Sequence, residues 1–79
     1  MKAYLYWYKC DEYAKTEYIY IIAVSVKQAN YIFYSQGYKN MADYSNGPID
    51  IISAYYFRNH HKVGDILGQN AILWVSTKK

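Results

Sequence analysis

The side chains that could support nucleophilic catalysis are few, and their neighbours do not favour it. Cys10 is the one cysteine in the chain. A reactive thiolate needs an electropositive setting, whereas Asp11 and Glu12 follow this cysteine directly. His60 and His61 are the histidines that could act as a base for it. Because a domain of this size rarely encloses a catalytic cleft, we predict that the protein is not an enzyme.

The sequence also lacks a pattern that would hold a metal ion or a cofactor. His60 and His61 are adjacent and point to opposite sides of an extended chain, and no Cys/His spacing elsewhere completes a metal site. Gly64 and Gly68 are followed by residues 69–70, Gln-Asn, and not by the Lys-Ser/Thr pair of a phosphate-cradling loop. We therefore predict neither a metal nor a cofactor.

Phosphate contact is the one anion-binding chemistry that the charges permit. Residues 58–62 form a local basic cluster, in which Arg58 and Lys62 could contact phosphate, and Lys27 is a third candidate. A solvated loop is the alternative interpretation of this cluster. The net charge is +3, from 9 Lys+Arg and 6 Asp+Glu. That balance neither requires nor excludes nucleic acid, and it argues against a strongly acidic DNA mimic.

Length and cysteine usage limit the class of protein. The 79 residues are enough for one domain, 1–79, with a thin stability margin. The single cysteine cannot form an internal disulfide, and the chain shows no cleavable leader, so we expect a cytoplasmic protein. The longest apolar run, at 18–24, is far too short to span a bilayer, and we expect no membrane association.

Tyrosine is the unusual feature of the composition. The chain has 12 Tyr against 2 Phe and 2 Trp. A Tyr side chain combines an apolar ring with a polar tip, which suits half-buried sheet faces and interfaces. Twelve are more than a core of this size can hold with every hydroxyl satisfied, so several must lie at the surface.

Two predicted strands, 3–8 and 17–24, carry five of these tyrosines. Side chains alternate between the faces of a strand. Antiparallel pairing could therefore assemble a Tyr-rich face from Tyr4, Tyr6, Tyr8, Tyr18 and Tyr20. A helix would then pack on the opposite face, which carries Leu5, Trp7, Ile19, Ile21 and Ala23. A strand covered on both sides is the alternative to a displayed aromatic ladder, and the outcome depends on strand register.

The strongest local signals mark a helix at about 26–36. Ser25 and Gln28 fit a capping box, and Gly37 can end the helix in the left-handed conformation. Helical spacing predicts a buried stripe of Val26, Ala29, Ile32 and Phe33. A second stripe, at the flank of the first, consists of Tyr31, Tyr34 and Tyr38. Lys27 and Lys39 lie nearby. These rings either cover the edge of the core or form a contact surface.

The remaining chain predicts more sheet. A loop at 39–48, with a turn at 45–48, leads to a third strand at 50–58. Residues 63–68 indicate a turn, a short extended piece and a turn, and a fourth strand is predicted at 71–76, before a charged tail at 77–79. We expect a small single α+β domain of β-β-α-β-β order, with a mainly antiparallel four-stranded sheet and one helix packed on one face.

We expect a non-enzymatic protein-binding module that acts through a Tyr-rich surface, because Tyr is frequent among interface hot spots. The candidate contact residues lie on the helix flank or on the open sheet face: Tyr31, Tyr34, Tyr38, Tyr4, Tyr6, Tyr18 and Tyr20. A homodimer would bury the open sheet face. The abundance of Ile, Tyr, Lys and Asn would fit a phage- or mobile-element-encoded inhibitor of a host enzyme or defence nuclease.

The alternative function is single-stranded nucleic-acid binding. Surface aromatics can stack bases, at about 1–3 kcal/mol per base. A weak basic rim could hold phosphates through Lys9, Lys27, Lys39, Arg58 and Lys62. The chain lacks the aromatic signature of an RNA-recognition motif, and its charge excess is small. We therefore rank this function second.

Overall fold

An antiparallel sheet with one helix on one face makes up the part of the chain that the computed structural model describes, residues 1–57 and 61–68. In those residues the strands are β1 (Lys2–Lys9), β2 (Glu17–Ala23), β3 (Asp43–Tyr44), β4 (Asp50–Ser53) and β5 (Ile66–Gly68). The helix α1 (Val26–Ser35) follows β2, and short 3-10 turns occupy Tyr38–Asn40 and Ala54–Tyr56. This is the predicted small α+β fold.

Strand β1 is the centre of the sheet. It pairs with β2 along one edge and with both β3 and β4 along the other, and β5 pairs with the far edge of β2. Every pairing among these five strands is antiparallel. The extended piece predicted within 63–68 is strand β5. The predicted strand at 71–76, the tail at 77–79, Arg58 and His60 lie outside the described residues.

The edge formed by β3 and β4 is interrupted by a bulge at residues 46–49. Ser45 still follows the ladder, because its N–H donates to the Trp7 carbonyl at 3.0 Å and its Oγ accepts from the Trp7 N–H at 3.2 Å. The ladder resumes where the Ile49 N–H donates to the Leu5 carbonyl at 2.8 Å. Four residues therefore lie opposite Tyr6 alone, and the Asn-Gly-Pro sequence supplies the turn that this requires.

Two predicted boundaries in this region are wrong. The loop predicted at 39–48 contains strand β3, whose two residues pair with Tyr8 and Lys9. The strand predicted at 50–58 ends at Ser53, where a 3-10 turn begins. The Ser53 Oγ accepts the N–H of Tyr55 at 3.1 Å. A local bond of this kind offers the backbone an alternative to the sheet ladder, which explains the early end.

The register of the first hairpin contradicts the predicted five-tyrosine face. Tyr4 pairs with Ile21, and Trp7 pairs with Tyr18. Residues paired across an antiparallel ladder share a face, so the tyrosines of β1 lie with Ile21 while those of β2 lie with Trp7. The helix packs on the first of these faces, so the prediction is confirmed for Ile19, Ile21 and Ala23 of β2 and is wrong for β1, which contributes Tyr4 and Tyr6 in place of Leu5 and Trp7. A one-residue change of register exchanges the faces of a strand, and the strand patterns alone do not set it.

The helix begins and ends as predicted. The Ser25 Oγ accepts the N–H of Gln28 at 3.1 Å. The Gln28 Oε1 accepts the N–H of Val24 at 2.8 Å, one residue earlier than the reciprocal bond of a capping box. Gly37 has a φ of 92°, which carries the chain from the helix into the next 3-10 turn.

Two apolar clusters lie on the two faces of the sheet. On the helix side, Ala29 and Phe33 pack against the sheet residues Tyr4, Tyr6, Ile19, Ile21 and Ala23. On the other side the buried residues are Ala3, Tyr20, Ile22 and Phe57. Of the predicted helix stripe, Ile32 is half-buried and Val26 is 43% exposed. The stripe is therefore confirmed except at its first position.

We expect Gly37→Ala to lower the free energy of unfolding by about 1–2 kcal/mol, because a Cβ at this positive φ meets the preceding carbonyl. Gly47→Ala is the matched control, since its φ is not positive and its added Cβ would lie 4.0 Å from the Asn30 Oδ1. Urea unfolding of both variants is the measurement. Equal losses would contradict the assigned helix end.

Candidate functional site

A tyrosine-rich aromatic cluster surrounds Phe33 at the end of the helix. The Phe33 ring is stacked on Tyr6, with centroids 4.4 Å apart, and on Tyr38, with centroids 5.0 Å apart. Tyr34 contacts Phe33 edge-on, and Tyr8 lies against Tyr38 at 4.8 Å. Each such aromatic pair adds about 0.5–1.5 kcal/mol beyond its buried area. The cluster therefore extends the core outward to the flank of the helix.

Two tyrosine hydroxyl bonds hold this flank, one to the central strand and one to the bulge at 46–49. The Tyr6 hydroxyl donates to the Asn30 Oδ1 at 2.6 Å, which links β1 to the helix. The Tyr34 hydroxyl donates to the Asn46 carbonyl at 2.9 Å, which links the helix to the bulge. Gly47 lies beside Asn30, since a Cβ added to this glycine would be 4.0 Å from the Asn30 Oδ1. The helix flank is therefore held in place by hydrogen bonds as well as by ring packing.

A shallow groove of about 250 Å³ lies on the outer side of this flank. We call it the helix-flank groove, and its lining residues are Tyr31, Tyr34, Ser35 and Lys39. Tyr34 is half-buried, whereas Tyr31 is 73% exposed. The groove thus has one wall anchored to the core and a free aromatic ring beside it.

The charged side chains of the helix and of the 3-10 turn after it are all positive. Between Glu17 and Asp43 the chain carries no carboxylate, and its only charged side chains there are Lys27 and Lys39. Both lysines are exposed. Lys39 lines the groove, and Lys27 lies on the same helix. An anionic group would therefore meet two cations near the helix and no carboxylate on it.

The tyrosines predicted as contact residues fall into two groups. Tyr4, Tyr6 and Tyr20 are buried in the two apolar clusters and present little ring surface to a partner. Tyr18 is 40% exposed, on the sheet face opposite the helix. On the helix flank, Tyr34 and Tyr38 cover the core edge, and Tyr31 projects beyond them. Tyr34 and Tyr38 therefore fit the interpretation that the flank rings cover the core edge, and Tyr31 is the ring that could form a contact surface.

Sequence reasoning missed Asn30, Ser35 and the bulge as parts of this site. Asn30 precedes Tyr34 by four residues, which places both on one side of the helix. That spacing was available from the sequence. The bond from Tyr34 to the bulge was not, because it joins residues that only the sheet pairing brings together.

The predicted phosphate contacts are not gathered into a described site. Lys27 lies in the first turn of the helix. Lys62 lies in the turn before β5, where its backbone N–H donates to the Asp65 Oδ2 at 3.1 Å. Arg58 lies outside the described residues. The His61 Nδ1 is 3.5 Å from the same Asp65 oxygen, and its ring lies edge-on to Phe57 at 5.8 Å.

The remaining candidates for chemistry are dispersed. Cys10 is exposed in the connection between β1 and β2. Within residues 1–57 and 61–68, no three His, Cys, Asp or Glu side chains are grouped so as to hold a metal ion. No helix in that part of the chain is long and apolar enough to cross a membrane.

Burial raises the pKa of four tyrosines above the usual value of 10. For Tyr6 burial is the main cause, and the Tyr34 and Tyr4 hydroxyls raise its pKa further. Burial raises the pKa of Tyr8, with a further increase from Tyr38. Tyr20 and Tyr38 also have a raised pKa, with burial as the main cause. A raised tyrosine pKa means that the folded chain keeps protons which the unfolded chain releases.

The free energy of unfolding should therefore fall as the pH rises above about 10, since tyrosine ionises first in the unfolded chain. The stabilisation is complete below that pH and is lost toward the raised pKa of the folded chain. Urea unfolding at pH 9 and pH 11 measures it. Tyr6→Phe should make the fall smaller, by up to about 1.4 kcal/mol per pH unit. An unchanged slope would contradict the role of Tyr6.

Tyr34→Phe should lower the free energy of unfolding by about 1 kcal/mol, because it removes the bond to the Asn46 carbonyl and keeps the ring. Tyr31→Phe is the matched control, since the Tyr31 hydroxyl has no hydrogen bond among the described residues. This substitution should leave the free energy of unfolding almost unchanged. Chemical denaturation of the two variants compares them. A loss of equal size in both would show that the bond does not anchor the flank.

Comparison with protein-family models, with curated proteins and with solved structures found no match to this chain. A function can therefore be argued only from the residues of the chain and their arrangement. Of the features described above, the helix-flank groove alone combines an exposed aromatic ring, a fixed wall and nearby charge.

Proposed function

We propose that the protein is a non-enzymatic protein-binding module that uses the helix-flank groove. The observation that carries the proposal is the Tyr31 ring, which is 73% exposed beside a groove formed by Tyr34 and Lys39. An exposed tyrosine has only two side-chain torsions to immobilise, so it gives a large contact area at low entropic cost. Such rings frequently dominate the energy of protein interfaces.

The fixed geometry of the groove supports this function. The Tyr34 ring packs against Phe33, and its hydroxyl is bonded to the bulge. Lys39 belongs to the 3-10 turn that follows Gly37, so its backbone is ordered by the helix end. A site that is already ordered loses less entropy when a partner binds. The groove can therefore act as a preformed binding site for one side chain of a partner.

An inhibitor of a host enzyme or defence nuclease, encoded by a phage or mobile element, is the concrete form that we propose. Such a protein works by covering a surface, so it requires no catalytic residues of its own. The small single domain and the abundance of Ile, Tyr, Lys and Asn support this form. It would act in the cytoplasm, where its target enzymes are found.

A homodimer is a related form of protein binding, supported by the sheet face opposite the helix. Tyr18 is 40% exposed on this face, and its neighbour across the ladder, Trp7, is half-buried. A second copy that covers these rings would extend a small core. Light scattering after size exclusion distinguishes this form from a monomer that uses the groove.

Single-stranded nucleic-acid binding is the second candidate, because the groove combines aromatic rings with Lys39. Base stacking on Tyr31 with a phosphate at Lys39 would fit this arrangement. It ranks lower because the neighbouring ring, Tyr34, is half-buried against the core and leaves one free ring for stacking. Undetectable binding of a fluorescent oligo-dT strand at low salt would remove it.

Tyr31→Ser should abolish or strongly reduce capture of the partner from the native host, while circular dichroism and thermal unfolding remain close to those of the unaltered chain. The reason is that Tyr31 contributes exposed ring surface and no described hydrogen bond. Tyr13→Ser is the matched control, because Tyr13 is 90% exposed in the connection between β1 and β2. Mass spectrometry identifies the captured protein, and calorimetry then measures its affinity for each variant.

The control decides how a loss is interpreted. Capture that depends on Tyr31 and not on Tyr13 supports the groove. Capture that neither substitution alters would contradict the groove as the binding surface.

A further inference from the structure

We infer that the helix-flank groove receives an acidic protein segment in extended conformation, with carboxylates at Lys27 and Lys39 and an apolar side chain against Tyr31. This inference rests on the proposed function and specifies the chemistry of its partner. It is carried by the charges of the helix, the hydrogen bonds already made by the groove hydroxyls and the spacing of the two lysines.

Neither the helix nor the 3-10 turn after it carries a carboxylate that would compete for Lys27 and Lys39. From residue 18 to residue 42 the chain contains no Asp or Glu. Among the described residues, the one contact within 4.0 Å between a basic side chain and a carboxylate joins His61 and Asp65. Lys27 and Lys39 are therefore available to a partner's carboxylates, and they would repel a basic one.

The groove hydroxyls match a peptide backbone better than a deoxyribose-phosphate backbone. The Ser35 Oγ donates its proton to the Ile32 carbonyl at 3.0 Å. The Tyr34 hydroxyl donates its proton to the Asn46 carbonyl. Both oxygens can therefore only accept a hydrogen bond from a ligand. The backbone N–H groups of an extended peptide supply such donors, whereas a deoxyribose-phosphate backbone carries acceptors alone.

Spacing along the helix sets the length of the segment. Lys27, Tyr31 and Ser35 follow one another at four-residue intervals and lie along one stripe. Residues 27 and 35 are about 12 Å apart along the axis, at about 1.5 Å per residue, and Lys39 lines the groove together with Ser35. An extended chain advances about 3.3 Å per residue. The two carboxylates should therefore be four to six positions apart, with the apolar residue between them.

Selection from a displayed library of random 12-residue peptides on the immobilised full chain tests this inference. We expect the enriched peptides to carry two acidic residues at that spacing around an apolar or aromatic residue. A synthetic peptide of the enriched sequence should bind about twofold to fivefold more weakly to Lys27→Gln and to Lys39→Gln. Lys15→Gln is the matched control, an exposed lysine before β2 whose loss should leave the affinity unchanged.

The outcomes separate this inference from the proposed function. Enriched peptides that are neutral or basic, and that still require Tyr31, would overturn the acidic partner and retain the protein-binding groove. Enrichment that Tyr31→Ser does not reduce would overturn both. Displacement of the selected peptide by a fluorescent oligo-dT strand, with the strand losing affinity in Lys39→Gln, would assign the groove to nucleic acid and overturn the inference.

Discussion

The stacking of Phe33 between Tyr6 and Tyr38 is the interaction on which the rest of the structure depends. Tyr6 belongs to the central strand, and Tyr38 lies just past the helix, so this stack joins the middle of the sheet to the helix end. Phe33 and Tyr6 are both fully buried. Removing a ring of this kind from a core typically costs about 3–5 kcal/mol, a large share of the stability that a small domain has.

A core built from tyrosine carries a constraint that a core of Phe or Leu does not. Each buried ring brings a hydroxyl that must find a partner or reach the surface. Tyr6 meets this requirement at Asn30, and Tyr34 meets it at the Asn46 carbonyl of the bulge. The bulge thus accepts a hydrogen bond from the helix flank, although it interrupts the sheet edge. The same bonds give the helix-flank groove its fixed wall.

Sequence reasoning succeeded where the signal is local. Ser25, Gln28 and Gly37 act within a few residues of themselves, and the helix begins and ends where they indicate. It failed at the strand register, because the face of each tyrosine depends on which residue lies across the hairpin. It failed also at the bounds of the strands after the helix, because local propensity reveals neither that residues 43–44 pair with β1 nor that the strand beginning at Asp50 ends at Ser53.

In the candidate site, too, local features were predictable from the sequence and long-range contacts were not. The stripe of Tyr31, Tyr34 and Tyr38 with nearby Lys39 was predictable from helical spacing. Which of its rings is free was not, because that depends on contacts with Phe33 and with the bulge. Tyr34 and Tyr38 pack against the edge of the core, whereas Tyr31 remains exposed. An excess of tyrosine therefore does not by itself indicate a binding surface, since most of these rings complete a core that is too small without them.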